Sequence, residues 1–211
     1  RLEIRGSGVA PRHGRVRYRL LLPYRVLSGA DFSPARPQRS CGVLGDCVGV
    51  VGIRDATRDD YEVILALNLA DVAHTSPMDS ARLSALDGLS CYHRVACIDG
   101  QVAGFLLAMR SGAPYENDNF AWFTRRYPSF VYVDRVVISI AARGRRLGSL
   151  LYEDLFGWAR QNGIPLVTCE YNVVPPNEPS RLFHEKFGFR ERGTQWLANR
   201  TKQVSLQMAE T

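Results

Sequence analysis

The pattern of hydrophobic and polar positions changes near residue 50. Before that point the apolar residues show no sustained period, and from Val48 onward they recur with the spacing of strands and helices. The pattern predicts strands at 48–54, 94–98, 102–109, 131–139, 166–171, 190–198 and 202–209, and helices at 57–70, 80–89, 146–162 and 179–187. This order indicates one mixed domain of strands and helices, which follows an N-terminal segment of different character.

Local signals agree with these elements. Thr57 precedes the first helical run and Asp60 follows three positions later, which is typical of a capping box. Asp99-Gly100 separates two apolar runs and predicts a tight hairpin. Residues 111–129 have no clear period but contain Tyr115, Phe120, Trp122, Phe123 and Tyr127. Loops of this length inside a compact domain are often functional, so we expect this one to help form a binding pocket.

The distribution of charged residues also changes near residue 50. Residues 1–54 hold ten arginines and three acidic residues, a net charge of +7, whereas residues 55–211 have a net charge of −1. We predict that residues 1–50 are a disordered, arginine-rich extension and that residues 51–211 form the folded domain. The basic pI therefore does not argue for nucleic-acid binding by that domain. An organelle-targeting or RNA-binding role of the extension stays an alternative.

Cysteine usage and hydropathy exclude several classes of protein. The five cysteines form no Cys-x-x-Cys pair and have no histidine at metal-ligand spacing, so we expect reduced thiols, no metal site and a cytoplasmic protein. No apolar run reaches the ~18 residues that cross a bilayer, so no membrane association is expected.

The most informative segment lies between residues 131 and 152. An apolar strand leads into a turn rich in arginine and glycine, and the turn opens a helix with one apolar face. Free backbone N–H groups and the helix dipole make such a start an anion site, and three arginines add charge. Its partner should carry phosphate, most simply a diphosphate. A Walker-type turn needs a Lys-Ser or Lys-Thr pair, and a dinucleotide fingerprint needs a third glycine beside Gly144 and Gly148, so both are excluded.

This turn resembles the pyrophosphate turn of the GNAT superfamily of acyl-CoA-dependent N-acetyltransferases, Arg/Gln-x-x-Gly-x-Gly/Ala. Arg143 and Gly148 match its first and last positions, and Arg146 replaces its middle glycine. Arginine there costs about 1 kcal/mol if its φ is positive, and is harmless if its φ is negative. The run 177–189 resembles the family's closing motif, Asn-x-x-Ala-x-x-Leu-Tyr-Glu-Lys-x-Gly-Phe, with His184 in place of its tyrosine.

The resemblance covers residues 52–209 and implies the fold and the activity. The implied fold is α/β (α+β), with a mixed, mostly antiparallel central sheet of about seven strands flanked by about four helices. The implied activity is transfer of an acetyl group from acetyl-CoA to a primary amine, by direct attack in a ternary complex. The residues implied in coenzyme A binding are Val136, Val137, Ile138, Arg143, Gly144, Arg145, Arg146, Leu147, Gly148, Ser149 and Asn177.

The resemblance also implies the catalytic groups. Asp134 is the first candidate for the base, because it lies inside an apolar strand four residues before Ile138, where many family members carry a glutamate. We expect it to lack an ion pair with Arg135, since neighbours on a flat strand point to opposite faces. Glu170 is the second candidate. His184 is the candidate acid, as the imidazolium, towards the coenzyme A sulfur.

The sequence gives less information about the amine that accepts the acetyl group. By analogy, Asn68, His74, Ser76 and Asp79, together with the aromatic loop, would form its pocket, and Asp79 and Asp118 would attract an ammonium group. The acceptor is then a small-molecule or peptide amine, and family habit implies a homodimer. The alternatives are a non-catalytic acyl-CoA-binding module, and a protein that binds nucleic acid through its arginine-rich extension.

Overall fold

The structure, a computed structural model, describes residues 50–197 and 200–211, so the predicted disordered extension lies outside the described residues. Its strands are β1 Val51–Asp55, β2 Tyr92–Ile98, β3 Gln101–Arg110, β4 Val131–Ile138, β5 Leu166–Val174, β6 Arg190–Leu197 and β7 Lys202–Glu210. Its helices are α1 Tyr61–Ala70, α2 Ser80–Leu89, α3 Asp118–Thr124, α4 Leu147–Gln161 and α5 Glu178–Lys186, with short 3-10 turns at Arg58–Asp60 and Ile140–Ala142.

The seven strands form one sheet in the order β1-β2-β3-β4-β5-β7-β6. All neighbours are antiparallel except β4 and β5, which are parallel and pair only at Val131 and Tyr132. Beyond Tyr132 the two strands separate, and this opening in the middle of the sheet positions the site described below. The predicted mixed, mostly antiparallel sheet of seven strands is confirmed.

Helices cover both faces of the sheet. On one face, the apolar side of α4 packs into a core that includes Val131, Val133, Leu147, Leu151 and Leu155. On the other face, α1, α2 and α3 pack into a core that includes Ile64, Leu83, Phe105, Leu107 and Phe123. The predicted apolar stripe of α4 is confirmed, since Leu147, Leu151 and Leu155 are buried.

The predicted local signals are present. Asp60 Oδ2 accepts a hydrogen bond from the Thr57 N–H at 2.8 Å, which closes the capping box before α1. Asp99 and Gly100, with φ of 50° and 78°, form the hairpin turn between β2 and β3. The fold has a fifth helix that the sequence pattern missed, α3, inside the aromatic loop. It is seven residues long and is capped by the side chain of Asn117, so it is too short to show a helical period.

A β-bulge interrupts β4 at Asp134. Leu107 of β3 lies opposite Arg135, whereas the next residue, Ala108, lies opposite Val133, so Asp134 is the extra residue on β4. A bulge bends its strand and breaks the alternation of side chains between the two faces. This irregularity decides the surroundings of the predicted base.

Candidate active site

A cavity of about 820 Å³ lies where β4 and β5 separate. It brings together the predicted turn and all three predicted catalytic candidates, Asp134, Glu170 and His184. Among the predicted cofactor residues, its walls include Val136, Ile138, Arg143, Gly144, Arg146, Leu147, Gly148, Ser149 and Asn177. Val137 and Arg145 are not part of its walls.

β4 turns its peptide groups alternately towards β3 and towards this cavity. The Ser139 N–H donates to the Ala103 carbonyl at 2.8 Å, and hydrogen-bonded pairs recur at every second residue of an antiparallel ladder. The peptide groups of Val137 are therefore used by β3. Those of Val136 and Ile138 face the opening towards β5. Hence two of the three predicted backbone contacts face the cavity, and the third belongs to the sheet.

The turn between β4 and α4 has two residues in the left-handed region. Gly144 has φ of 80° and Arg146, at the N-cap of α4, has φ of 61°. The first of the two alternatives for Arg146 therefore applies, and the arginine carries a conformational cost of about 1 kcal/mol. Its side chain is 77% exposed, and its guanidinium lies 3.6 Å from the carboxylate of Glu153. An exposed pair of this length is weak, so the charge stays available to an anion.

Asp134 is not the lone carboxylate that the sequence predicted. Arg135 Nε donates to Asp134 Oδ2 at 2.6 Å, and both side chains are almost completely buried. The prediction that these neighbours point apart was wrong, because the bulge at Asp134 breaks the alternation on which it depended. The hydroxyl of Tyr115 donates to Asp134 Oδ1. Both carboxylate oxygens of Asp134 therefore have partners.

Arg135 joins this pair to the neighbouring helix. Its Nη1 donates to Asn68 Oδ1 of α1 at 2.9 Å and lies 3.4 Å from the Ser76 carbonyl. Asn68 is buried behind the cavity wall and takes part through Arg135. A buried ion pair with this many hydrogen bonds is a rigid part of the wall, and breaking it by removing one partner leaves an uncompensated buried charge.

Glu170 has a different environment. Its Oε2 is buried and has no hydrogen-bond partner among the described residues. Loss of hydration raises the pKa of Glu170 to about 7, although hydrogen bonds from Tyr132 and Asn119 act in the opposite direction. The nearby charge of Asp134 raises it further. A carboxyl group that titrates near neutrality on a cavity wall is suited to proton transfer.

His184 is buried, and its imidazole is neutral at neutral pH. Burial lowers the pKa of His184 to about 4. Its Nδ1 lies 2.7 Å from the Ser180 carbonyl, which can only accept, so Nδ1 carries the proton. Nε2 then accepts from the hydroxyl of Tyr152 at 2.8 Å. The imidazolium form expected from the sequence therefore does not fit this position at pH 7, and Tyr152 is a partner that no sequence motif indicated.

The remaining predicted residues divide between the cavity and the scaffold. His74 and Ser76 line the cavity, whereas Asp79 does not and instead caps α2 by accepting from the Arg82 N–H at 2.7 Å. Asp118 is exposed and lies outside the cavity wall. Asn177 lines the cavity and also caps α5, since its side chain accepts from the Ser180 N–H at 3.2 Å. Of the aromatic loop, Tyr115, Asn117 and Asn119 line the cavity, whereas Phe120 and Phe123 belong to the core.

The site thus combines a helix start with free backbone N–H groups, free backbone on a separated strand, and a carboxyl group of raised pKa. Residues 50–189 match the model of the acetyltransferase (GNAT) family. The chain belongs to this family. The match spans well over half of the chain and includes every catalytic candidate named above. Acetyl transfer is therefore the activity that the family membership supports. No curated protein sequence matches significantly.

Solved structures share the GNAT fold at low sequence identity. Ard1 from Thermoplasma volcanium is 15% identical, with a TM-score of 0.62 over 76% of this chain and 97% of that chain. The ribosomal-protein-S18-alanine N-acetyltransferase from Escherichia coli is 11% identical, with a TM-score of 0.59 over 76% and 94%. YncA from Salmonella typhimurium, solved with its cofactor acetyl-CoA, is 21% identical, with a TM-score of 0.57 over 76% and 93%.

Two kinds of site are absent from the described residues. Within residues 50–197 and 200–211, no helix has the length and apolar character to span a bilayer. The same residues contain no group of three or more histidine, cysteine or acidic side chains placed to hold a metal ion. Cys91, Cys97 and Cys169 are free thiols, and the other two cysteines lie outside the described residues.

Proposed function

We propose that this protein is an N-acetyltransferase that moves an acetyl group from acetyl-CoA to a primary amine, by direct attack within a ternary complex. The observation that carries the proposal is the single cavity that joins the turn before α4 to Glu170. One end suits a diphosphate and the other suits removal of a proton from an ammonium group.

The residues on the cavity wall fit a pantetheine arm that ends in a diphosphate. Val136 and Ile138 offer N–H and C=O groups along the open edge of β4, and the first turn of α4 offers free N–H groups beside Arg143 and Arg146. Gly148 places no side chain at this helix start, and a Cβ there would lie in ordinary contact with the ring of Phe183, at 3.4 Å. Acetyl-CoA would supply the thioester carbonyl that the amine attacks.

In this proposal Glu170 is the base and Asp134 is a positioning residue. A base must be able to take up a proton at working pH, and a pKa of about 7 suits that task. Asp134 is held by Arg135 and Tyr115, so its oxygens are engaged and its role is to fix the wall. Glu170 would take the ammonium proton directly or through water. This reverses the order that the sequence suggested for the two carboxylates.

The departing thiolate needs a hydrogen-bond donor or a proton. His184 would serve as the neutral partner of Tyr152, which keeps the tyrosine hydroxyl on the cavity wall. To be the donor to the sulfur in place of an imidazolium, the Tyr152 hydroxyl would have to turn its one proton from His184 Nε2 to the sulfur.

A thiol-release assay with acetyl-CoA and a panel of primary amines tests this function. Wild-type kcat/KM is expected to fall about tenfold per pH unit below pH 7, because protonated Glu170 cannot act as a base. Glu170→Gln should lower kcat/KM by about 10²–10⁴-fold and remove the break near pH 7, leaving only the titration of the amine itself, with the affinity for coenzyme A little changed. Asp134→Asn is the comparison. A larger loss in Asp134→Asn than in Glu170→Gln would restore Asp134 as the base.

Calorimetry with coenzyme A separates the competing interpretation. Tight binding without thiol release for any amine would support a non-catalytic acyl-CoA-binding module. Absence of binding by the folded protein would contradict both.

A further inference from the structure

Besides the turn before α4 and the paired Arg135, three cationic side chains line the cavity, namely Arg82, Lys186 and Lys202. Lys186 ends α5, and the other two lie on different elements. Arg82 lies in the first turn of α2, and Lys202 lies at the start of β7. Both belong to elements that are separate from the turn before α4. Arg143 and Arg146 lie at that turn, beside the position proposed for the diphosphate, with Asp71 3.7 Å from Arg143 and Glu153 3.6 Å from Arg146.

Neither Arg82 nor Lys202 is neutralised by the described part of the chain. No described carboxylate lies within ion-pair distance of Arg82 or Lys202, in contrast to Arg135, which is paired with Asp134. The guanidinium of Arg82 lies over the ring of Tyr115, 5.8 Å from its centroid. Arg82 is exposed, so an anion can still reach the open side of its guanidinium.

Tyr115 relates Arg82 to the reacting end of the cavity. The hydroxyl of Tyr115 donates to Asp134, and the guanidinium of Arg82 lies over the ring of Tyr115. The guanidinium and the Asp134 carboxylate are therefore on the order of 10 Å apart. Lys202 is related to Glu170 by its position in the sheet, without a chain of side-chain contacts. β7 pairs with β5, Leu206 lies opposite Glu170, and Lys202 lies on the same face of β7 as Leu206, towards the open end.

The acceptor end is therefore bipolar. Carboxylates lie where the amine must react, and unpaired cations lie one small molecule's length away. We propose that the acceptor is a small amine that also carries an anionic group, as an amino acid does, with Arg82 binding the anion and Lys202 assisting. This rests on the proposed function. The cavity of about 820 Å³ must also hold the pantetheine arm, so the space left for the acceptor fits a small molecule or a single chain terminus.

Matched acceptors test this inference. The probes are β-alanine and 4-aminobutyrate, each compared with its own amide, which differs only in lacking the negative charge. Rates of thiol release are expressed per deprotonated amine. We expect the acids to have kcat/KM at least tenfold above the amides in the wild type. Arg82→Gln should reduce that ratio at least tenfold, and Lys202→Gln should reduce it less.

The control variant is Arg160→Gln, because Arg160 is an exposed arginine in the last turn of α4, outside the cavity wall. It should leave the ratio unchanged. A ratio near one in the wild type overturns the inference while turnover itself still supports an acetyltransferase. A loss of coenzyme A affinity in Arg82→Gln, equal to its loss of acceptor preference, also overturns it, since Arg82 would then be a cofactor contact.

A binding measurement separates this inference from the proposed function. 4-Aminobutyrate and its amide are titrated into the protein saturated with coenzyme A. Preferential binding of the acid that disappears in Arg82→Gln, with no thiol release from any amine, would support the anion site and contradict acetyl transfer. Equal binding of acid and amide in the wild type would contradict the anion site.

Discussion

Replacement of the buried glutamate by its neutral isostere, Glu170→Gln, should stabilise the protein in a pH-dependent way. The pKa of Glu170 is about 7 in the folded protein, against 4.5 for an ordinary glutamate. The folded state therefore holds this proton more tightly than the unfolded state does. Stability is highest when both states are protonated, and it falls as the pH rises from about 4.5 to about 7.

The magnitude follows from the difference between the two pKa values. At 1.36 kcal/mol per pH unit, ionisation of Glu170 lowers the free energy of unfolding by about 3 kcal/mol above pH 7. The glutamine side chain of the variant is uncharged at every pH. The advantage of Glu170→Gln over the wild type should therefore grow by about 1.4 kcal/mol per pH unit between pH 5 and 7, and should then level off near 3 kcal/mol.

Urea unfolding at pH 5, 6, 7 and 8, followed by the fluorescence of the three tryptophans, measures this difference. Glu62→Gln is the control, since Glu62 is an exposed glutamate in the first turn of α1 and its loss should change stability by no more than about 0.5 kcal/mol. If the free-energy difference between Glu170→Gln and the wild type is constant from pH 5 to pH 8, Glu170 has no raised pKa. The assignment of Glu170 as the base would then lose its physical support.

Three further changes test other parts of the site. In urea unfolding, Arg146→Gly should raise the free energy of unfolding by up to about 1 kcal/mol, because φ at this position is 61°. Arg145→Gly should lower the free energy of unfolding by about 0.5–1 kcal/mol. An equal loss of stability in both variants would contradict the argument. Gly148→Glu should weaken coenzyme A binding at least tenfold in calorimetry, because it adds negative charge at the diphosphate. Gly148→Ala should change the affinity little, since its Cβ would be in ordinary contact with Phe183. Unaltered affinity in Gly148→Glu would place the cofactor elsewhere. NMR of ring-labelled histidine should show His184 neutral down to about pH 5, since its pKa is about 4, and titration near pH 6.5 would show that the ring is hydrated.

The two regions where prediction from sequence failed share one physical cause. The ion pair between Asp134 and Arg135 was excluded on the alternation of side chains along a flat strand. The bulge that breaks this alternation is a mismatch between β4 and β3, so it depends on the register of a partner strand and leaves no mark on β4 itself. The helix α3 was missed for a related reason. Its seven residues carry no readable period, and tertiary packing of Phe120 and Phe123 stabilises it.

What the sequence by itself determined is local in origin. The period of apolar residues predicted the order and the approximate bounds of eleven elements, the Asp99-Gly100 turn predicted the hairpin, and the arginine and glycine turn predicted an anion site at the start of α4. Each of these signals comes from interactions between residues a few positions apart, so it can be read from a short segment.

Only the tertiary structure distinguishes the surroundings of the two candidate carboxyl groups, on which the proposed choice of base depends. Glu170 and Asp134 are both acidic residues within apolar strands, and nothing in their own segments distinguishes them. The difference arises because Arg135 and Tyr115 engage Asp134, whereas Glu170 is left with a buried oxygen and without a cation bound to it. Protonation depends on desolvation and on nearby charges, and both are supplied by residues far away in the chain, so the pKa values become defined only when the strands and helices pack together.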